Sequence, residues 1–181
     1  MNKTIYWITA VVVVGLLSFF SGMSVGGYGS NIASIEGNLV KETVDLAEAY
    51  EFSIETIDGD TVSLTENKNQ GLPTVLYFMS STCSTCAKNW AALNDVYPDY
   101  KNKVNFVAVS VDPTDTVDVL KDLREDRNII FDMSPGNPQL AIKYGVKKQT
   151  AKFAIDETGK VVSRHDGALT DDGWRAFFEQ L

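Results

Sequence analysis

A continuous apolar run from Val75 to Met79 (VLYFM) leads within a few residues into Cys83-Ser84-Thr85-Cys86. Beyond it, Cys83, Cys86, Trp90, Leu93 and Tyr97 recur at steps of three and four until Pro98. The run reads as a buried strand, the recurrence is the period of a helix, and the proline marks its end. A cysteine pair at the junction of a buried strand and a helix commits this part of the chain to α/β layering. The junction also carries chemistry. Cys83 stands at the helix N-terminus, where unpaired backbone N–H groups and the macrodipole favour a thiolate. Cysteines so placed titrate at roughly 3.5 to 7.5, against about 8.5 for a free thiol. Cys86, one turn further on, faces the same side and is within reach of a mixed disulfide formed on Cys83, which it would resolve. The spacing has two other readings. A structural disulfide closing so short a loop stabilises little. Half a zinc site would need partners, and His165 is the single histidine, with no third cysteine in the chain.

The pattern continues on both sides of the pair. Phe52, Ile54, Ile57, Val62 and Leu64 flank Asp58-Gly59-Asp60, the signature of a hairpin with an Asp-Gly turn. Val104–Val111 predicts a second buried strand. Asp112 with Pro113 after it predicts an N-cap and first helical residue, opening a helix to Arg127 with Val117, Leu120 and Leu123 facing in. Ile129–Asp132 predicts a short strand and Pro138–Tyr144 a helix closed by Gly145. Lys152–Asp156 and Val161–Arg164 straddle a turn at residues 157–160, and Asp171–Leu181 predicts a last helix with Trp174, Phe177 and Phe178 inside. Strand, helix, strand, helix, hairpin and helix make an α/β fold: a central mixed β-sheet flanked by helices. Trp90 reads as core; His165 reads as a solvated residue at a strand end, with a metal ligand or proton shuttle as the alternative; Lys147, Lys148 and Lys152, beside the expected groove, read as cations of a solvated loop, with lowering of the thiol pKa or contact with an acidic partner as the alternative.

At the other end, no Asp, Glu, Lys or Arg occurs between Thr4 and Ile35, and Ile5–Val25 is 21 residues dominated by Val, Leu, Ile and Phe. That is the length of a helix crossing about 30 Å of hydrocarbon. Lys3 and the terminal amine lie on its N-terminal side, so the positive-inside rule leaves the rest of the chain outside the cytoplasm. The division expected is a transmembrane signal anchor over residues 1–26, a Gly- and Ser-rich tether with a short helix over 27–50, and a folded domain over 51–181. A cleaved signal peptide is the competing reading; the length of the run and the lack of an A-x-A site favour a retained anchor. The 24 acidic residues against 16 basic ones, a net charge of -8, disfavour nucleic acid as a partner.

From Phe52 to Leu181 the chain resembles the thioredoxin superfamily, and within it the membrane-anchored thiol-disulfide oxidoreductases of the TlpA and ResA type. The residues that carry the resemblance are PTVLYFMSSTCSTC, VNFVAVSVD, the element YGV and KFAIDETGKVV. It implies a thioredoxin-like fold and Cys83 and Cys86 as a redox-active disulfide, with no dissociable cofactor and no metal. It also implies extracytoplasmic thiol or disulfide proteins as partners, apocytochrome c among them and hence cytochrome c biogenesis, together with a membrane electron donor and a bilayer holding the N-terminal helix. The chain departs from the family in several places. Thr150 stands where the family has a cis-proline facing the cysteines, so Gln149 and Thr150 mark the expected substrate groove. Tyr77 replaces the buried Asp of thioredoxins, Asn89 the Glu of ResA-like proteins, and Thr82 the usual tryptophan. No general base for Cys86 is visible. Two other resemblances compete. Copper-handling proteins of the Sco type have three residues between their cysteines and a histidine in the region where this chain has Gln149. Thiol peroxidases have a Ser or Thr at the spacing of Ser80 but a proline where this chain has Leu76.

Overall fold

The computed structural model describes residues 47–181. The predicted anchor and most of the tether lie outside the described residues, and among the described residues no helix is long and apolar enough to cross a membrane.

The elements are β1 (Ser53–Glu55), β2 (Thr61–Ser63), α1 (Leu64–Asn69), β3 (Thr74–Met79), α2 (Ser84–Val96), β4 (Asn105–Ser110), α3 (Val117–Arg127), β5 (Asp132–Ser134), α4 (Pro138–Lys143), β6 (Ala151–Ile155), β7 (Val161–Asp166) and α5 (Asp171–Phe178). β1 and β2 form the expected antiparallel hairpin, with Gly59 at φ +89° in its turn, a conformation in which a Cβ is strained. The main sheet runs β5-β4-β3-β6-β7, with β3, β4 and β5 mutually parallel and β6 and β7 antiparallel to their neighbours, so it is the mixed sheet expected.

Every residue of β3 is buried because both faces of the sheet are covered. The period of two divides the strand between two cores. Val75, Tyr77 and Met79 pack with Trp90, Leu93, Trp174 and Phe177 from α2 and α5, whereas Leu76 and Phe78 pack with Leu140 of α4, with Tyr144 at its C-cap and with Phe153. The pair of cysteines therefore leaves the central strand of a fully covered sheet.

Four expectations are corrected. Helix α3 starts at Val117 rather than Pro113, because Thr116 accepts from the Val119 N–H and is its N-cap. Asp112 instead closes a turn, accepting from the N–H of Thr114 at 2.9 Å and its hydroxyl at 2.7 Å, which holds its carboxyl below the ordinary range. Val117 is exposed, leaving Leu120 as the buried residue of that helix. The strand expected over Ile129–Asp132 forms at Asp132–Ser134, where pairing with Val107–Val109 is available. Residues 47–50, read as the end of a short helix, are extended: the N–H of Ala49 donates to Gly159 O and Glu48 bridges to Lys160. Helix α1, which the hairpin pattern hid, buries Leu64 in the second core.

Candidate active site

Cys83 and Cys86 are joined by a disulfide at the point where β3 gives way to α2. Cys83 is the N-cap residue of that helix. Its Sγ accepts from the Cys86 N–H at 3.2 Å, the place an oxygen takes in an ordinary cap. The first turn holds no acidic residue, so nothing there opposes negative charge on the sulfur. The two sulfurs differ in kind. Cys83 is partly exposed and receives an N–H; Cys86 is fully buried, and its Sγ lies 3.0 Å from the carbonyl oxygen of Gln149. In the dithiol that carbonyl can accept the Cys86 S–H. The surroundings favour the anion on Cys83 and the neutral thiol on Cys86.

Gln149 thus meets the pair through its backbone, with the residue itself exposed. Thr150 is buried, its hydroxyl accepting from the Gly167 N–H at 3.0 Å, which ties this loop to the end of β7. No peptide bond among the described residues is cis. Asn89 is fully buried one turn beyond Cys86. It donates to the Gly167 carbonyl at 3.3 Å and accepts from the Leu169 N–H at 3.0 Å, fastening α2 to the chain after β7. Trp90 is core, as expected. His165 is half-buried rather than solvated; burial first, and the charge of Lys152 second, push its imidazole down.

Two further residues belong to the site. Asp115 is buried between β4 and the cysteine loop. Its carboxyl accepts from the Ser81 N–H at 2.8 Å and from the hydroxyls of Ser81 and Ser110. It therefore anchors the segment that delivers Cys83; the one signal in the sequence was an acid just past the end of a strand, a feature the Asp112 reading absorbed. Replacing Asp115 with alanine is expected to destabilise the fold by about 3 kcal/mol, because buried donors lose their acceptor. The same change should slow alkylation of reduced Cys83. Urea unfolding and iodoacetamide kinetics check both, and an unchanged alkylation rate would remove Asp115 from the site.

The second is Lys152. Far from a solvated loop, it is fully buried on β6, while Lys147 and Lys148 are exposed as expected. Its register in β6 separates it from Lys147 and Lys148, which are near it only in sequence. The usable signal was its position inside AKFAI, a strand buried on both faces.

Among the described residues no group of three or more His, Cys, Asp or Glu side chains converges as a metal site. The hydroxyl of Ser80 is paired with that of Thr82 at 3.4 Å.

Residues 46–164 match the AhpC/TSA family. The chain belongs to that family. Thiol-disulfide oxidoreductases ResA of Bacillus thuringiensis (strain Al Hakam) and Bacillus anthracis are each 29% identical to it over 136 residues, covering 74% of this chain and 76% of theirs. Among solved structures, a Chlorobium tepidum protein assigned to the DsbE type of thiol:disulfide interchange protein superposes with TM-score 0.62 at 26% identity, over 74% of this chain and 92% of that one. StoA of Bacillus subtilis, at 22% identity, shares the fold with TM-score 0.61 over 72% of this chain and 96% of its own. This member of the family is a thioredoxin-like α/β protein, and its enzyme class is thiol-disulfide oxidoreductase.

Proposed function

We propose that this protein exchanges disulfides with partner proteins outside the cytoplasm, tethered to the membrane by its N-terminal apolar segment. Cys83, as thiolate, attacks a partner disulfide; one partner sulfur leaves with the electron pair and takes a proton, and a mixed disulfide forms on Cys83. Cys86 then loses its proton and attacks Cys83, the bond to the partner breaks, the second partner thiol leaves, and the Cys83–Cys86 disulfide is restored. The reverse sequence oxidises a dithiol partner, and the relative potentials of the two pairs set the direction. A membrane electron donor would return the pair to the dithiol. The partners in this reading are extracytoplasmic thiol or disulfide proteins, apocytochrome c among the candidates, and Gln149 and the Thr150 backbone form one wall of the groove. The chemistry needs no dissociable cofactor.

The observation that carries this reading is the asymmetry of the two sulfurs: the partly exposed one is capped by an N–H, the buried one faces a carbonyl. Trapping tests it. In cells making full-length Cys86→Ser protein, mixed disulfides with partner proteins should accumulate and vanish on treatment with a reductant; Cys83→Ser should accumulate none. If Cys86→Ser traps no protein in cells shifted between oxidising and reducing media, the exchange reading fails.

A further inference from the structure

Among the described residues Lys152 is the only lysine or arginine that is buried. It lies on β6 directly across from Tyr77 of β3 on one side and His165 of β7 on the other. Its Nζ sits over the faces of Tyr77, at 5.5 Å, and Trp174, at 5.1 Å. Both of its hydrogen-bond acceptors are carbonyls, Thr150 O at 3.1 Å and Gly167 O at 2.6 Å. A buried ammonium in such a setting is costly, and proteins that keep one commonly use it.

Two independent connections tie Nζ to Cys86. The carbonyl of Gln149 lies on Cys86 Sγ and the next carbonyl in the chain, that of Thr150, lies on Nζ. On the other side, Gly167 O accepts from both Nζ and the amide of Asn89, one turn along α2 from Cys86. Cys86, Tyr77 and Trp174 belong to the same core. Cys86 needs such a neighbour. Burial and the Gln149 carbonyl both hold it as a thiol, yet resolution requires its thiolate.

The other groups facing Lys152 cannot serve. Burial pushes the Tyr77 phenol up, so it stays protonated. His165 is pushed down and is mostly uncharged at neutral pH. α2 adds the uncharged Asn89 and α5 the uncharged Trp174. Asp166 on β7 favours the ammonium, whereas burial, the larger influence, pushes Lys152 down to about 7. Its proton is therefore exchangeable at working pH.

We propose that Lys152 is the ionisable partner of Cys86, supplying the positive charge against which the buried thiol becomes a thiolate during resolution. This deepens the exchange reading and rests on it. The step balances: Cys86 releases its proton to water; its sulfur forms a bond to Cys83 Sγ; the bond from Cys83 to the partner breaks, and the partner leaves as a thiolate that water protonates. Lys152 touches neither sulfur and acts as a positioning charge.

The test mixes reduced full-length protein, in detergent, with 5,5′-dithiobis(2-nitrobenzoate). The first thionitrobenzoate released reports attack by Cys83, the second reports resolution by Cys86. In Lys152→Met the second phase at neutral pH should slow about tenfold and its pH profile should move to higher pH, with the first phase within about twofold of wild type. Lys152→Arg should keep the fast second phase, and His165→Gln should leave both phases in place. A folded Lys152→Met protein with an unmoved second-phase profile overturns the proposal, as does a displacement produced by His165→Gln instead. A second measurement also decides it: in Cys83→Ser protein, ultraviolet thiolate absorbance should show Cys86 titrating at lower pH than in Cys83→Ser/Lys152→Gln protein, and equal values overturn the proposal. Failure of the exchange reading looks different, since it would appear as a missing first phase in the wild type.

Discussion

Replacing Cys83 with serine is expected to lower disulfide exchange by at least about 10³-fold, the scale on which covalent enzymes lose activity with their nucleophile. The expectation follows from the capped sulfur, which in the reduced protein should also alkylate fast at mildly acidic pH. Magnitudes show how fast. A thiol titrating near 6 is about half ionised at pH 6, whereas one titrating near 8.5 is ionised to about 0.3%, a gain of roughly 150-fold. The lower basicity of the stabilised anion reduces its nucleophilicity by about tenfold, taking a Brønsted coefficient of about 0.45. About a tenfold net advantage over glutathione remains. Iodoacetamide kinetics between pH 5 and 8 on the reduced protein, with Cys83→Ser as the blank for Cys86, measure it. A Cys83 that titrates and reacts like glutathione would show that the N–H contact to its sulfur does not stabilise the anion.

The second large effect is on stability. Lys152 is held at about 7 in the folded protein against 10.5 for an ordinary lysine. Between those values the unfolded chain binds more protons than the folded one, so this group makes stability rise with pH across that window. Going down from pH 10.5 to below 7, it costs the fold at most about 5 kcal/mol, the free-energy equivalent of the displacement. Lys152→Met keeps most of the volume and removes the charge. At neutral pH it should be more stable than wild type by about 1–4 kcal/mol, and the difference should shrink as pH rises toward 9.5. Urea unfolding of the disulfide forms across pH 6 to 9.5 reads the difference directly, and the tyrosines common to both proteins cancel. Wild-type and variant curves that stay parallel would show that Lys152 keeps an ordinary affinity for its proton. A lysine that costs the fold this much, one carbonyl away from the contact of Cys86, is the trade-off expected of a functional group.

The strand VLYFM, the helix after Cys83 and the hairpin around Asp58-Gly59-Asp60 were all legible, because each is written in a local period: alternation or continuous apolarity for strands, steps of three and four for helices, turn residues between them. The site itself was half legible. Cys83 and Cys86 announce themselves through spacing and context. Asp115 and Lys152 do not, since each is a polar residue whose burial depends on a segment remote in sequence: Ser81 brought to Asp115, and Gly167, Tyr77 and Trp174 brought around Lys152. The boundary errors have the same origin. Asp112-Pro113 is a good helix start by local rules, but the next residues are spent on the turn at Thr114 and the carboxyl contact at Asp115, so the helix waits for Thr116.

What the amino-acid order settled unaided is the alternation of elements and the cysteine pair at a strand-to-helix junction, both consequences of short-range sterics and hydrophobic periodicity. What the tertiary arrangement alone decided is the burial of Cys86 against the Gln149 carbonyl and the burial of Lys152. Those depend on β6 pairing with β3 and on α5 closing over it, contacts whose free energy comes from the whole core rather than from any local stretch.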